Sequence, residues 1–227
     1  MSVEFVVEDD AQAAARAAGE ILADAAATGG DIALSGGKSP EDAHETAARI
    51  TSDWSRVRVW WGDERCVAPT DDRSNFAMAK RTLLDHLEAP PAEVHRIHGE
   101  ADPAEAAHDY HDLLAGVRFR LNLLGVGPDG HTASLFPDAP SLDERDVRAV
   151  AAEPALDPRV MRVTLTIPAL ENAETVLFLV TGEDKAEAVA RAFSGPESRA
   201  TPASLVRARG GRTLAILDRA AASLLTR

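Results

Sequence analysis

Apolar and polar positions form alternating blocks along almost the whole chain, with short apolar runs separated by longer amphipathic or alanine-rich stretches. The apolar runs have the length and composition of buried strands. They are residues 32–34, 57–61, 119–124, 175–180 and 213–217. Residues 160–167 instead alternate between apolar and polar side chains, which predicts a strand with one exposed face.

The stretches between these strands carry helix signals. Residues 10–28 are rich in alanine and end at a pair of glycines, which favours a helix that stops there. Ser39, Ser74 and Asp102 each stand where an N-cap is expected, and each opens a predicted helix. One further helix is predicted to follow the loop at 182–185 and to extend to about residue 193. Another is predicted over residues 219–225.

Strands that alternate with helices predict an α/β fold: a doubly wound, mostly parallel sheet with helices on both faces. No linker or repeat interrupts the alternation, so residues 1–227 are predicted to form a single domain. Ligands of such folds bind outside the carboxyl ends of the strands. The loops that follow apolar runs are therefore the candidate sites, and they are residues 35–39, 62–66, 125–134 and 181–185.

Composition and charge narrow the range of partners. The chain of 227 residues has 37 acidic and 24 basic side chains and a formal charge of −13, which argues against nucleic acid as a partner. No apolar run approaches the roughly 20 residues that span a bilayer. The N-terminus is acidic where a signal peptide is basic, and a single cysteine, Cys66, cannot form an internal disulfide. These features predict a cytoplasmic protein with no membrane partner.

The first candidate loop joins small residues to the start of a helix. Residues 35–40 read Ser-Gly-Gly-Lys-Ser-Pro, but Ile32 stands where a nucleotide-binding loop needs its first glycine, and Pro40 follows at once. The nucleotide-binding motif is therefore excluded. Two interpretations stay open, a loop whose backbone N–H groups bind an anion and a tight turn with an ordinary N-cap.

The second and fourth loops each supply a cation. Arg65 ends the segment Gly62-Asp-Glu-Arg65 directly behind an apolar run, and a guanidinium binds phosphate or carboxylate in two places. Lys185 lies three residues after Gly182 at the same predicted edge of the sheet. Each cation could bind an anion or lie in a solvated turn, and neither segment decides between these alternatives alone.

The third loop has the spacing Gly125-x-Gly127-x-x-Gly130 and continues with His131. A dinucleotide-binding loop follows the first strand of its unit and has an acid about 20 residues on, at the end of the next strand. Here the glycines lie in the middle of the chain, and the region beyond is rich in proline and charge. A turn that presents His131 for proton transfer, oriented by Asp129, is the better interpretation. The alternative is a turn aspartate with an incidental histidine.

Taken together, the four loops resemble the motif set of 6-phosphogluconolactonases, in the order in which that family has them. The resemblance covers essentially the whole chain, and the third motif is the most specific. The matching segments are Ala33-Leu-Ser-Gly-Gly-Lys-Ser-Pro40, Trp61-Gly-Asp-Glu-Arg65 with Asp72-Arg-Ser-Asn75, Leu124-Gly-Val-Gly-Pro-Asp-Gly-His-Thr-Ala-Ser-Leu-Phe-Pro137 and Gly182-Glu-Asp-Lys-Ala186. Arg162-Val-Thr-Leu-Thr166 and Pro202-Ala-Ser204 are also similar to the family.

This resemblance implies a hydrolase that opens 6-phospho-D-glucono-1,5-lactone to 6-phospho-D-gluconate in the oxidative pentose phosphate pathway. It implies the fold of glucosamine-6-phosphate deaminases and no cofactor or metal; we expect a monomer or a homodimer. His131 would be the general base with Asp129 beside it, and Arg65 and Lys185 would hold the phosphate. The other implied substrate-binding residues are Ser35, Gly36, Gly37, Lys38, Ser39, Asp63, Ser74, Asn75, Gly127 and Gly130.

Two other functions stay open. A sugar-phosphate isomerase or deaminase of the same fold shares Asp63-Glu64 and Asp129-Gly-His131, but continues differently after both segments. A sugar-phosphate sensor that binds without catalysis usually carries a DNA-binding helix-turn-helix, and the chain has no spare basic segment for one.

Overall fold

Strands and helices alternate in the structure, a computed structural model that describes residues 2–155 and 157–225. The elements are β1 (Val3–Glu8), α1 (Ala11–Thr28), β2 (Gly30–Leu34), α2 (Lys38–Ile50), β3 (Val57–Trp61), β4 (Asp63–Arg65), α3 (Asn75–Thr82), β5 (Glu93–Val94), α4 (Pro103–Leu113), β6 (Phe119–Leu124), β7 (Ala149–Ala152), β8 (Arg162–Leu165), α5 (Ile167–Glu171), β9 (Ala173–Val180), α6 (Ala186–Phe193) and β10 (Arg212–Asp218). Short 3₁₀ turns lie at Leu84–His86, Pro140–Asp143, Glu183–Lys185 and Pro202–Leu205.

Seven strands form the central sheet in the order β1-β10-β9-β6-β2-β3-β5, and each neighbouring pair is parallel. Connections between parallel strands are right-handed, so α1, α2 and α3 cover one face and α4 and α6 cover the other. In agreement with this, α2 packs between α1 and α3, while α4 packs on β7 and β8. The predicted doubly wound α/β fold is confirmed. The assignment of residues 1–227 to a single domain stays a prediction.

A small antiparallel sheet, in the order β4-β8-β7, lies beside the carboxyl edge of the main sheet. It corrects one prediction, since β8 was expected to have an exposed face and all four of its residues are buried. Its threonine has an internal partner, since Thr164 Oγ1 accepts a hydrogen bond from Ser134 N at 3.1 Å. A threonine that is buried with its hydroxyl hydrogen-bonded therefore gives the same alternation of apolar and polar residues as a threonine that faces solvent.

Helix boundaries confirm some of the predicted caps and correct others. Ser74 and Asp102 are confirmed as caps, because they accept hydrogen bonds from backbone N–H groups in the first turns of α3 and α4. Asp10, which was not among the predicted caps, does the same for α1. Ser39 is not an N-cap, because Gly37, at a φ of 107°, takes that position and the helix begins at Lys38, two residues earlier than predicted. The predicted helix over residues 219–225 is also wrong, because this segment forms a series of turns.

The end of β3 is fixed by aromatic packing on both faces of the sheet. Trp60 contacts Tyr110 of α4, with ring centroids 5.8 Å apart, and Trp61 contacts Phe76 of α3 at 5.5 Å. The Tyr110 hydroxyl also donates to the carbonyl oxygen of Trp61 and accepts from its N–H. These contacts hold the chain where it leaves the core and enters Asp63–Arg65.

His44 on α2 is a buried titratable side chain that the fold leaves without a hydrogen-bond partner in the part of the chain that the structure describes. Its side chain is fully buried, and neither ring nitrogen has a hydrogen-bond partner among the described residues. Burial, opposed in part by the charge of Glu41, lowers the pKa of His44 to about 4. The folded protein therefore keeps this imidazole neutral over a range where the unfolded chain protonates it.

We expect this difference to cost the protein about 3 kcal/mol of unfolding free energy between about pH 7 and about pH 4. The pKa of His44 is lower in the folded state than in the unfolded chain. Its contribution to the free energy of unfolding is therefore complete at a pH above the unfolded-state pKa, and it is lost as the pH falls through the folded-state pKa. His44→Leu should remove that part of the acid dependence in urea unfolding curves. His108→Leu, whose side chain is 72% exposed, is the control and should keep it. Equal pH dependence of His44→Leu and the unaltered protein would contradict the assignment.

Candidate active site

A cavity of about 440 Å³ opens at the carboxyl edge of the main sheet, where β2, β3, β6 and β9 end. The four candidate loops converge on it, as their positions behind apolar runs predict. The predicted residues that line it are Ser35, Gly36, Gly37, Lys38, Ser39, Asp63, Arg65, Asn75, Gly127, His131 and Lys185. Asp129 and Gly130 stand behind this lining and hydrogen-bond to His131 and Gly127, which form part of it. Ser74 does not line the cavity; it donates to Glu64 and accepts from Ala77 N in the first turn of α3.

The glycine loop after β6 folds back tightly and presents His131. Gly127 N donates to the carbonyl oxygen of His131 at 2.9 Å, and Gly130 N donates to that of Gly127 at 2.9 Å. A Cβ atom at Gly127 would lie 2.0 Å from His131 Nδ1, so only glycine lets the ring lie against the backbone. Gly130 has a φ of 94° and packs against Thr201, which explains why glycine is needed at this third position of the motif.

Asp129 and His131 form a hydrogen-bonded pair at the cavity wall. His131 Nδ1 and Asp129 Oδ1 are 2.6 Å apart, and the same oxygen accepts from His131 N at 3.1 Å. Burial acts to raise the pKa of Asp129, but the hydrogen bonds and charge of His131 outweigh it and hold that pKa below its ordinary value. The carboxylate therefore favours the tautomer protonated at Nδ1, and Nε2 is the ring nitrogen left to accept a proton.

The elements that follow the glycine loop exclude its interpretation as a dinucleotide-binding loop. The element after β6 is the 3₁₀ turn Pro140–Asp143, and no α-helix begins at the glycines among the described residues. A pyrophosphate site of that kind needs a helix N-terminus directly behind the loop.

The loop after β2 faces the cavity with its backbone. Gly36 lies so close to Asn75 that a Cβ atom would be 1.9 Å from the amide Oδ1. The hydroxyls of Ser39 and Thr181 share a hydrogen bond of 2.6 Å, which joins this loop to the one after β9. The Lys38 side chain is 76% exposed and pairs with Asp42 at 2.7 Å, so its ammonium points along α2. We therefore infer that this loop would offer N–H groups rather than the Lys38 charge.

Glu64 is a buried carboxylate that joins β4 to α3, and the sequence prediction omitted it. Its two oxygens accept from Arg65 N, Ser74 Oγ, Asn75 N and Phe76 N at 2.7–2.9 Å. Burial raises its pKa against the effect of these four donors. The contacts hold α3 against β4 and so place Asn75 and Arg65 beside the cavity.

Two cations reach the cavity from different loops. Arg65 donates through Nη1 to the carbonyl oxygen of Arg73 at 2.7 Å, and its Nε is buried without a partner among the described residues. Lys185 lies in the 3₁₀ turn after β9, with Nζ 2.9 Å from the exposed Asp184 carboxylate. Asp218 anchors that turn by accepting from Gly182 N at 3.1 Å.

Neither a metal centre nor a membrane span is visible in the part of the chain that the structure describes. No group of three or more His, Cys, Asp or Glu side chains there could hold a metal ion. None of the helices described is both long and apolar enough to cross a bilayer.

Residues 7–215 match the family model for glucosamine-6-phosphate isomerases and 6-phosphogluconolactonase. The chain belongs to this family. A 6-phosphogluconolactonase of Haemophilus influenzae is 35% identical over 203 residues, which cover 86% of this chain and 87% of that protein. The resemblance that the loop motifs indicate is confirmed.

Solved structures of the family share the fold over the full chain. A 6-phosphogluconolactonase of Trypanosoma brucei has a TM-score of 0.87 and 26% identity over 99% of both chains. A monomeric glucosamine-6-phosphate deaminase has a TM-score of 0.84 and 21% identity over 98% of this chain and 100% of that one. The fold is therefore common to both branches of the family, and the loops must distinguish the two activities.

Within this family site, Arg162 is the main residue that sequence reasoning left out. It stands opposite Arg65 in the β4–β8 pairing and lines the cavity. The segment 162–166 is similar to the family, but a strand with one exposed face does not predict that the Arg162 side chain faces the cavity. A signal was present nonetheless, since an arginine that belongs to a buried strand needs a partner.

Proposed function

We propose that the chain hydrolyses 6-phospho-D-glucono-1,5-lactone to 6-phospho-D-gluconate, the activity printed for the relatives above. The observation that carries the proposal is the shared cavity: a histidine held by an aspartate and two cations from other loops line the same space. Its volume is in the range of small-molecule sites. The cations give an anionic ligand a favourable position on a protein whose net charge is −13.

His131 acts as the general base in this mechanism. Nε2 takes a proton from water, and the water oxygen forms a bond to C1 of the lactone. The tetrahedral intermediate then breaks its bond between C1 and the ring oxygen, which takes up the proton from Nε2. The carboxylic acid so formed loses its proton to solvent. A lactone is an activated acyl group, so positioning and one base suffice.

Asp129 orients the base in this proposal and does not itself accept the proton from water. Its lowered pKa makes it a weak base, and it stands behind His131 rather than in the cavity lining. Its hydrogen bond at Nδ1 also favours the imidazolium that forms when Nε2 is protonated.

The phosphate is held at the other end of the ligand by Arg65, Lys185 and the backbone N–H groups of residues 35–39. The loop lies at the N-terminus of α2, where backbone donors and the helix dipole favour an anion. Binding energy from this end fixes C1 against His131, so it contributes to the rate as well as to affinity.

The direct test is hydrolysis of freshly generated lactone, measured against its spontaneous rate. We expect a large acceleration and no ammonia release from glucosamine 6-phosphate. Robust ammonia release would assign the chain to the deaminase branch. Tight binding of 6-phosphogluconate with no acceleration would assign a sensor.

Replacement of Arg65 by alanine is expected to weaken substrate binding, seen as a rise in KM of about 10- to 100-fold, because charge-assisted hydrogen bonds to phosphate are lost. The same variant should hydrolyse unphosphorylated glucono-1,5-lactone as the unaltered enzyme does. Arg49→Ala, at the far end of α2, is the matched control and should leave KM unchanged. An equal loss on both lactones would show that Arg65 does not bind the phosphate.

We further propose a cytoplasmic enzyme that needs no cofactor and acts as a monomer or homodimer. The free thiol of Cys66 supports a reducing compartment. The chemistry supports the absence of a cofactor, because ester-like hydrolysis involves no electron transfer.

A further inference from the structure

Arg162 is a buried cation whose hydrogen-bonding capacity is largely unused. Its side chain is 5% exposed and reaches the cavity. Nη1 lies 3.5 Å from Ser134 Oγ and 4.0 Å from Asp63 Oδ2, and Nε is buried with no partner among the described residues. A guanidinium has five N–H donors, and burying them without acceptors is costly. The arrangement therefore lacks an acceptor that a ligand would supply.

A second arginine shows how this chain satisfies such a group elsewhere. Arg207 stacks on Phe193 at 5.5 Å, much as Arg162 stacks on Phe136 at 5.6 Å. The Arg207 guanidinium, however, donates to three carbonyl oxygens at 2.7–2.9 Å. Burial lowers the pKa of both guanidinium groups, and the nearby charge of Arg65 lowers that of Arg162 further.

The position of Arg162 places it at the reacting end of the ligand. Phe136 contacts both Arg162 and the proposed base, since its ring centroid is 5.1 Å from that of His131 and 5.6 Å from the Arg162 guanidinium carbon. This shared neighbour favours the His131 end of the ligand for Arg162. Arg65, its neighbour across the β4–β8 pair, instead directs a donor to the carbonyl oxygen of Arg73, on the α3 side.

We propose that Arg162 donates hydrogen bonds to the carbonyl oxygen at C1 of the lactone and stabilises the negative charge that this oxygen gains when water attacks. The inference rests on the proposed lactonase function. As the water oxygen bonds to C1 and its proton moves to His131, the π electron pair of the C1 carbonyl moves to its oxygen. When the intermediate collapses, that pair re-forms the double bond and the ring C–O bond breaks. In the product, the same contact is made to the new carboxylate.

Ser134 and Asp63 have a positioning role in this arrangement. The Ser134 hydroxyl donates to Asp63 Oδ2 at 2.5 Å, and the carboxylate lies at 4.0 Å from Arg162 Nη1. They hold one edge of the guanidinium and supply a counter-charge without forming a bidentate pair. The remaining donors are thereby left for the substrate, in a fixed orientation that needs no rearrangement during the reaction.

The kinetic test compares Arg162→Met with Arg207→Met, which makes the same chemical change away from the cavity. Loss of one oxyanion donor is expected to lower kcat by about 100- to 1,000-fold. Arg207→Met should keep kcat even where it lowers the melting temperature. A kcat for Arg162→Met equal to that of the unaltered enzyme would overturn the proposal.

A binding test separates the C1 end from the phosphate end. 6-Phosphogluconate and glucitol 6-phosphate carry the same phosphate and differ at C1, where the first has a carboxylate and the second a hydroxyl. Arg162→Met should lose affinity for 6-phosphogluconate and keep its affinity for glucitol 6-phosphate in calorimetric titrations. An equal loss for both would place Arg162 at the phosphate, and no loss for either would make it structural; both results overturn the proposal.

Two measurements keep the test decisive if Arg162→Met does not fold. Arg162→Lys keeps the charge but not the planar fork, and it should also lose preference for 6-phosphogluconate over glucitol 6-phosphate. The unaltered protein should itself bind 6-phosphogluconate more tightly, and equal affinities would overturn the inference without any variant. If the unaltered protein fails to accelerate lactone hydrolysis, the proposed function is wrong; if it does and Arg162→Met retains kcat, only the inference is wrong.

Discussion

Replacement of His131 by asparagine is expected to lower kcat for lactone hydrolysis by about 100- to 10,000-fold, the usual contribution of a positioned base. Asparagine can still donate to Asp129 from a position near that of Nδ1, so the loop should keep its shape. What it lacks is a nitrogen at the position of Nε2 that can take a proton from water. The measurement is initial velocity at saturating lactone, corrected for spontaneous hydrolysis.

The same variant should bind 6-phosphogluconate almost as the unaltered enzyme does, because the phosphate end of the site is intact. His108→Asn, at an exposed position on α4, is the control and should leave both quantities unchanged. Turnover of His131→Asn at the original rate would remove this residue as the base. A loss of product affinity as large as the loss of kcat would indicate that the ring binds the ligand instead.

Gly127→Ala is expected to reduce kcat nearly as much as the loss of the imidazole itself. The new methyl group would lie 2.0 Å from His131 Nδ1 and 2.7 Å from Asp129 Oδ1, so the ring and its carboxylate must both move. Displacement of a catalytic group by about 1 Å is enough for losses on the order of 100-fold. The main cost falls on the hydrogen-bonded pair, so we expect a folded protein with low turnover.

Gly125→Ala is a matched control in the same loop, because a Cβ atom there meets nothing within 4 Å. It should keep its activity. Kinetics of both variants, with circular dichroism to verify folding, provide the comparison. Similar losses in the two variants would mean that loop flexibility, and not the space for the imidazole, requires the glycines.

The strands that position the site could be predicted because both of their faces are buried. β2, β3, β6 and β9 lie inside the parallel sheet, and such strands have continuous apolar runs. The edge strand β1 was missed, since its short apolar run, residues 5–7, is exposed and lies between two glutamates. β8 was assigned an exposed face because its threonines read as solvent-facing, whereas the hydroxyls of Thr164 and Thr166 are hydrogen-bonded inside the protein.

The candidate site was predictable as far as its residues follow strands directly. Loop positions behind apolar runs located His131, Arg65 and Lys185 at one edge, and the structure brings them to one cavity. Arg162 and Glu64 depend on the pairing of β4 with β8 and on the docking of α3, which are long-range contacts. A local pattern does not contain that information. Lys38 depends on a neighbour within its own helix, since it lines the cavity while its ammonium pairs with Asp42.

Glu64 has a consequence for how sequence variation in this protein should be interpreted. One carboxylate ties a strand to a helix, and both of those elements carry groups that face the ligand. Variants at this position would score as inactive in a genetic screen, together with variants of the residues that line the cavity, although Glu64 is not part of that lining. Loss of activity at Glu64 would reflect loss of the hydrogen bonds that join β4 to α3. Compensating changes should therefore be sought in the first turn of α3 rather than around the ligand.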